Sequence, residues 1–319
     1  MRDLSSFSPT RIDFENAARA IADDIIETPL LPLATQGDRR LFGKAENLQP
    51  LGSFKIRAGA NAVATLLAAH EVKSIATASA GNFAQGLTLG ARRRGVSVTV
   101  HVPNTAPEVK RNAIAELGAK VVTHDYAAWW EIMRTRDTGT AGEFFVHPFA
   151  DPEVMIGNGT IALELARQLP ECEEIFVPVG GGGLLCGIAL GMRALGLKPR
   201  IIACEVETAA PLRASFDAGR AVAIERTPSF VDGIGGQSVF EEMWPLFQRL
   251  VDDIVVVSLE DVRKAMEGLC RHNRVVAEGA GAAAVAAAQT RSAANQSVAI
   301  ISGGNIDWRV YSQLLGSTQ

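Results

Sequence analysis

The segment LGSFKIRAGA, residues 51–60, sets Lys55 between Phe54 and Ile56 and brackets it with Gly52 and Gly59. Lysine ordinarily keeps its ammonium group in water. In apolar surroundings desolvation lowers the pKa of the amine, and a neutral amine can condense with an aldehyde or take a proton from carbon. The alternative is a lysine whose stem crosses apolar surface while its head reaches solvent. Taken by itself, Lys55 favours this second reading.

A second stretch, EIFVPVGGGGLLCGIALGMRAL, runs a strand from Ile175 to Val179 into Gly180, Gly181, Gly182 and Gly183, with a helix expected from about Leu184. Glycines let the main chain approach a ligand and turn its N–H groups inward. A helix N-terminus adds partial positive charge. The arrangement suits a phosphate, whereas a plain strand-to-helix turn would need only one or two glycines. No GK[ST] follows, so the nucleotide P-loop reading fails. GNGTIA at 157–162 matches GxGxxA but has no convincing strand before it. The phosphate therefore belongs to a small cofactor or substrate.

Two further small-residue loops, SAGN at 79–82 and SGGN at 302–305, each follow a strand-like run, and DGIGG at 232–236 is a candidate fourth. In a parallel sheet the C-terminal strand ends gather ligands at one edge. A phosphate cradle, a lysine in apolar company and the absence of metal-ligand spacing together suggest pyridoxal phosphate. For Asn82 the competing reading is a helix N-cap after Gly81; for Ser302 it is a turn residue at a strand end.

The elements that must position these residues alternate nearly throughout. Strands are expected at 73–79, 96–103, 119–124, 143–149, 174–179, 200–204, 254–257 and 297–302. Helices are expected at 83–95, 107–118, 126–136, 153–168, 184–195, 208–218, 259–271 and 277–289. Short β-rich runs alternating with helical patterns imply βαβ units and parallel sheets. The fold class expected is α/β, with two open, mostly parallel twisted sheets and flanking helices. A smaller domain, 74–150, is inserted into a larger one, 1–73 with 151–319, and the cofactor lies in the cleft between them. The Pro-punctuated HPFADPE at 147–153 is the expected crossing.

The 319 residues suffice for a large core, and 47% apolar with 21% charged residues is ordinary for a globular protein. A net charge of −4 leaves no basic stripe for nucleic acid; the RRR run at 92–94 reads as a solvated helix end. Cys172, Cys186, Cys204 and Cys270 show no CxxC spacing and read as reduced thiols. There is no signal core at the N-terminus and no apolar run long enough to cross a membrane, so a cytoplasmic location is expected.

GSFKIRAGA, SAGNFAQG, GGGGLL and SGGN, with KAENLQPLGSFK and HPFADPEVMIGNGT, occur in an order and spacing that resemble the threonine/serine dehydratases, of the tryptophan synthase β-like fold (type II) of pyridoxal-phosphate enzymes. The resemblance covers nearly the whole chain. It implies that Lys55 is the Schiff-base lysine and that Phe54 lies against the cofactor ring. Asn82 would bond the phenolic oxygen, Ser302 would face the ring nitrogen, and Gly180 to Gly183 with the Leu184 amide would hold the phosphate. Ser79, Ala80, Gly81 and Asn82 would hold the substrate carboxylate. The implied reaction converts a β-hydroxy amino acid such as threonine or serine to a 2-oxo acid and ammonia, in a homo-oligomer.

Some residues depart from the family pattern. Phe83 stands where histidine is usual, beside the expected substrate loop, which leaves bulkier substrates such as phenylserine or hydroxyaspartate open. Related serine racemases have a serine where this chain has Ala80, and a racemase needs a second base on the far cofactor face. Related enzymes often bind a cation after the strand ending near Glu205. Here Ala209 and Pro211 occupy the positions of a main-chain ligand and an acid, so the metal is left unassigned. The residues after SGGN are too few for the regulatory tail of some biosynthetic threonine dehydratases. A β-replacement synthase would show SVKDR and GTGGT rather than SFKIR and GGGGL, and a simple phosphate-binding protein would not need Lys55.

Overall fold

Apolar runs rich in valine and isoleucine form strands, and the central strands of the larger sheet are covered on both faces. The computed structural model describes residues 3–34, 40–290 and 294–316. Among them the strands are β1 (Leu30–Leu33), β2 (Arg40–Lys44), β3 (Ser74–Ala78), β4 (Ser97–Pro103), β5 (Lys120–His124), β6 (Phe144–Phe145), β7 (Glu174–Pro178), β8 (Arg200–Val206), β9 (Asp253–Val257) and β10 (Gln296–Ile300). They build a six-stranded sheet, β1-β2-β10-β7-β8-β9, and a four-stranded sheet, β5-β4-β3-β6. Every pair is parallel except β1 with β2. The strands of the smaller sheet all fall between β2 and β7 in the chain. All five residues of β7 are buried, as expected where helices cover both faces. One of those covers is the helix Gly279–Thr290, whose run of alanines is buried nearly all round. The ends of the expected large domain, 1–2 and 317–319, lie outside the described residues.

Several expected elements shift for identifiable reasons. The helix expected from 208 starts at Pro211, where the missing N–H of proline suits a first turn. The helix expected at 259–271 is α-helical only to Gly268 and then widens to a π-helical turn, Leu269–Asn273. The strand expected at 143–149 is reduced to Phe144 and Phe145 before the proline-punctuated stretch. The helices Arg11–Ala20, Lys55–Ala69, Trp244–Leu250 and Trp308–Gly316 and the hairpin pair β1/β2 had no counterpart in the sequence reading. The arginine run is not simply a solvated helix end. Arg93 and Arg94 clamp the buried Asp24 carboxylate at 3.1 and 2.7 Å, tying the helix Asn82–Arg92 to the N-terminal segment. The four cysteines are free thiols, and no helix among the described residues is long and apolar enough to cross a membrane.

The helix Lys55–Ala69 packs against two others at backbone distance. A Cβ placed at Gly86 would stand 2.7 Å from the carbonyl of Lys55, and one at Gly90 would stand 2.8 Å from Ala60 Cα. Gly→Ala inside a helix ordinarily stabilises by about 1 kcal/mol. Here the opposing cost of overpacking against a backbone, about 1–3 kcal/mol, decides the sign. Gly86→Ala should therefore lower the denaturant midpoint. Gly268→Ala, with nothing within 4 Å of the added carbon, should raise it slightly. Equal shifts in the same direction would contradict this packing.

Candidate active site

The crevice is assembled by a short exchange of main-chain bonds between two distant segments. Phe54 N donates to Ser302 O at 3.1 Å, Gly304 N donates to Gly52 O at 2.9 Å, and Ser53 pairs with Gly303. Lys55, the first residue of its helix, is thereby held beside the end of β10. Its Nζ does not run to solvent. It lies over two rings, 4.8 Å from the centroid of Phe54 and 5.7 Å from that of Phe83. Desolvation lowers the Lys55 pKa to about 8, while the Glu278 carboxylate opposes the shift.

Asn82 is not an N-cap. Gly81 holds that position and Asn82 is the first residue of the helix Asn82–Arg92. The Asn82 side chain reaches instead across the crevice, with Nδ2 donating to Glu278 Oε1 at 3.1 Å and Oε2 at 3.4 Å. Burial pushes the Glu278 carboxyl up to about 7, and Asp232 adds to the shift; the Asn82 N–H, Lys110 and Lys55 pull it down. Glu278 is 7% exposed and was missed in the sequence reading. Its one signal there was isolation, as the only charged residue between Arg274 and Arg291.

The DGIGG turn does join the crevice. Gly233 lies beside the Glu278 carboxylate, a Cβ there coming within 3.4 Å of Oε1, and beside Gly180 on its other side, through its carbonyl. The glycine loop is thus continuous with the Lys55–Asn82–Glu278 cluster. Packing explains much of its composition. A side chain at Gly181 would overlap the Phe149 ring, one at Gly182 would overlap the Phe247 ring, and Gly182 has φ of +92°. What the loop offers an anion is the start of the helix Gly183–Ala194. Its N-cap is Gly182, which has no side chain to satisfy the first-turn N–H groups. The Leu184 side chain is in the core, while its amide belongs to that first turn.

The remaining expected residues are accounted for individually. Ser79, Ala80 and Gly81 are half-buried, with Ser79 N bonded to His101 O and Gly81 N to Ser79 Oγ. Phe83 is only 2% exposed and belongs to the core beside the smaller sheet, yet its ring still faces Lys55. Ser302 is 3% exposed at the end of β10.

The cation position does not have the donors an ion needs. Both Glu205 oxygens accept main-chain N–H groups, from Leu212 and Arg213 at 2.8 Å each. Pro211 has no carboxylate to add, and burial raises the Glu205 pKa to about 7. The carboxylate is committed to the start of the helix Pro211–Ala218 rather than to a metal.

Known proteins resemble this chain over most of its length. The pyridoxal-phosphate dependent enzyme family matches residues 21–303. An L-threonine ammonia-lyase of Thermotoga maritima is 36% identical over 313 residues, 95% of this chain and 77% of the relative. Among solved structures, a maize serine racemase superposes with a TM-score of 0.87 at 30% identity, covering 96% of this chain and 97% of that one. A threonine deaminase from T.th. gives 0.84 at 33%, covering 94% and 99%. The chain belongs to the pyridoxal-phosphate dependent enzymes, and its fold is that of their tryptophan synthase β-like type. The residues present fit the cofactor: an amine with a lowered pKa, an uncapped helix start for phosphate, and the Asn82 amide at the same crevice.

The pKa of Lys55 makes a direct prediction for the cofactor-free protein. The neutral amine should accumulate with a midpoint about pH 8, against about 10.4 for an ordinary lysine. In Glu278→Gln the carboxylate that favours the ammonium is gone, so the midpoint should fall further. Competitive amine labelling read by mass spectrometry at Lys55 measures both. A Lys55 profile matching that of surface lysines would contradict the assignment.

Proposed function

We propose that the chain is a pyridoxal-phosphate-dependent dehydratase acting on a β-hydroxy amino acid such as threonine or serine, with a 2-oxo acid and ammonia as products. The observation that carries this reading is Lys55, an amine of lowered pKa set over two aromatic rings, within the field of Glu278. The activity named for the Thermotoga relative supports it.

When bound, the cofactor supplies an electron sink for the pair left at the substrate's α-carbon. Lys55 would hold it, and its Nζ would serve as the base that takes the α-proton. Phe54 and Phe83 keep water from that amine. The turn at Ser79, Ala80, Gly81 and Asn82 receives the substrate carboxylate at a helix start. Gly180 to Gly183 and the Leu184 amide would hold the phosphate, Asn82 would serve the phenolic oxygen, and Ser302 would donate a neutral hydrogen bond to the ring nitrogen. The β-hydroxyl leaves with a proton as water. The resulting enamine takes up water and releases ammonia. The same reading divides the chain into a small unit, 74–150, within a larger one, 1–73 with 151–319, and makes the protein a cytoplasmic homo-oligomer that binds no nucleic acid.

The likeness to a serine racemase raises a second reading. Ala80 weighs against it, because a methyl group has no proton to deliver to the far face of the cofactor. One panel separates the two: the cofactor-loaded protein with β-hydroxy amino acids of both configurations, assayed for 2-oxo acid and for inversion. 2-Oxo acid release without accumulation of the opposite enantiomer is expected, with at least a thousandfold loss in Lys55→Ala. Rapid inversion would favour the racemase, and undiminished activity in Lys55→Ala would remove the whole reading.

A further inference from the structure

Asn305 closes the SGGN loop, whose Ser302 alone has been given a role. Asn305 Nδ2 donates to the main-chain carbonyl of Leu51 at 2.6 Å and to Asn82 Oδ1 at 3.0 Å. A main-chain carbonyl only accepts, so the group that Asn305 turns toward Leu51 must be its NH2, and both hydrogens of that NH2 are then directed. Asn82 is left to present its oxygen to Asn305 and its own NH2 to the opposite side, where Glu278 lies. Glu278 could not set that orientation unaided. With Asp232, Lys110 and Lys55 as the charges around it, its carboxyl titrates at about 7, and a carboxyl near its midpoint is present both as acceptor and as donor.

The Leu51 carbonyl is aimed by an unusual turn. Leu51 has φ of 63° and Gly52 has φ of 66°, two consecutive residues in the left-handed region, the first of them not a glycine. A Cβ on residue 52 would stand 2.5 Å from Asn305 Oδ1. The turn before Lys55 and the amide of Asn305 therefore form one fitted unit, and that unit ends on Asn82.

We infer that Asn305 is a positioning residue that fixes the amide polarity of Asn82, so that the second hydrogen of Asn82 Nδ2, and not its oxygen, is available to the phenolic oxygen of the cofactor. This rests on the reading of Asn82 as the phenolic-oxygen ligand. A donor at that place favours the ionised phenolic oxygen, which absorbs at longer wavelength. An acceptor there requires the oxygen to keep its proton, which shifts absorbance to shorter wavelength.

The test is the absorbance spectrum of the cofactor-loaded protein without substrate. In Asn305→Asp the side chain keeps its shape but has no N–H for Leu51 and accepts from Asn82, turning the Asn82 amide over. The ratio of long- to short-wavelength absorbance should fall several-fold, and cofactor affinity should fall about tenfold. Asn305→Ala removes the two donors without adding charge and should give a ratio between those of the parent and Asn305→Asp. Asn82→Leu, compared at the same pH, reports whether Asn82 serves the phenolic oxygen at all. A parental spectrum in Asn82→Leu would sink that underlying reading. A changed spectrum in Asn82→Leu with a parental spectrum in Asn305→Ala or in folded Asn305→Asp would overturn the role of Asn305. Should Asn305→Asp fail to fold, the Asn305→Ala ratio decides.

Discussion

The structure depends on a buried set of four charges centred on Arg57. Its guanidinium bonds Glu46 through Nε and Nη2 at 2.8 and 2.9 Å and Glu164 through Nη1 at 2.7 Å, with all three side chains buried. Glu164 also receives the Lys44 ammonium, which donates to Thr28 O. Two cations thus balance two carboxylates. Removing any one would leave an uncompensated charge in the interior, a loss of about 3–5 kcal/mol. The set bolts the helix Lys55–Ala69 to the end of β2 and to the helix Pro152–Gln168. Because residues two apart on a helix point about 200° apart, anchoring Arg57 inward turns Lys55 outward, into the crevice.

That division of labour explains the contrast between two lysines near each other in the chain. Desolvation lowers both pKa values. Lys44 has Glu164 in direct contact and is tied into a closed network. Lys55 has two aromatic faces and a carboxylate acting at longer range, and so remains an amine with chemistry to do. Charge is neutralised where the fold needs rigidity and left incompletely compensated where reactivity is needed.

Much of the crevice was legible in the sequence because its signals are local. A lysine among apolar residues, a run of glycines before a helix and small-residue turns after strands each carry their meaning within a few residues. Glu278 is different in kind. Its partner Asn82 lies 196 positions away, and its own surroundings are alanines and glycines that announce only close packing. Asn305 was present in a recognised motif, but its role depends on the backbone of Leu51, which no composition reveals. The helix Lys55–Ala69 was hidden for a related reason. No element was assigned to it, and the reason for its small residues lies outside it: Gly59 faces the backbone of Leu87, and Ala60 that of Gly90. The four glycines of the 180–183 loop also serve packing, since the rings of Phe149 and Phe247 leave no room for side chains at Gly181 and Gly182.

β10 has a consequence for how the chain is made. It is the last strand among the described residues, yet it lies between β2 and β7, paired with both. Until residues 296–300 have emerged from the ribosome, β2 and β7 have no common neighbour and the larger sheet is in two pieces. The smaller sheet, complete by residue 145, has no such wait. Synthesis therefore passes through a nascent state in which two strand edges of the larger sheet have no partner, and such edges are sites where chains associate wrongly. Ser302 and Asn305 come just after β10, so the crevice cannot be complete until the larger sheet has its central strand.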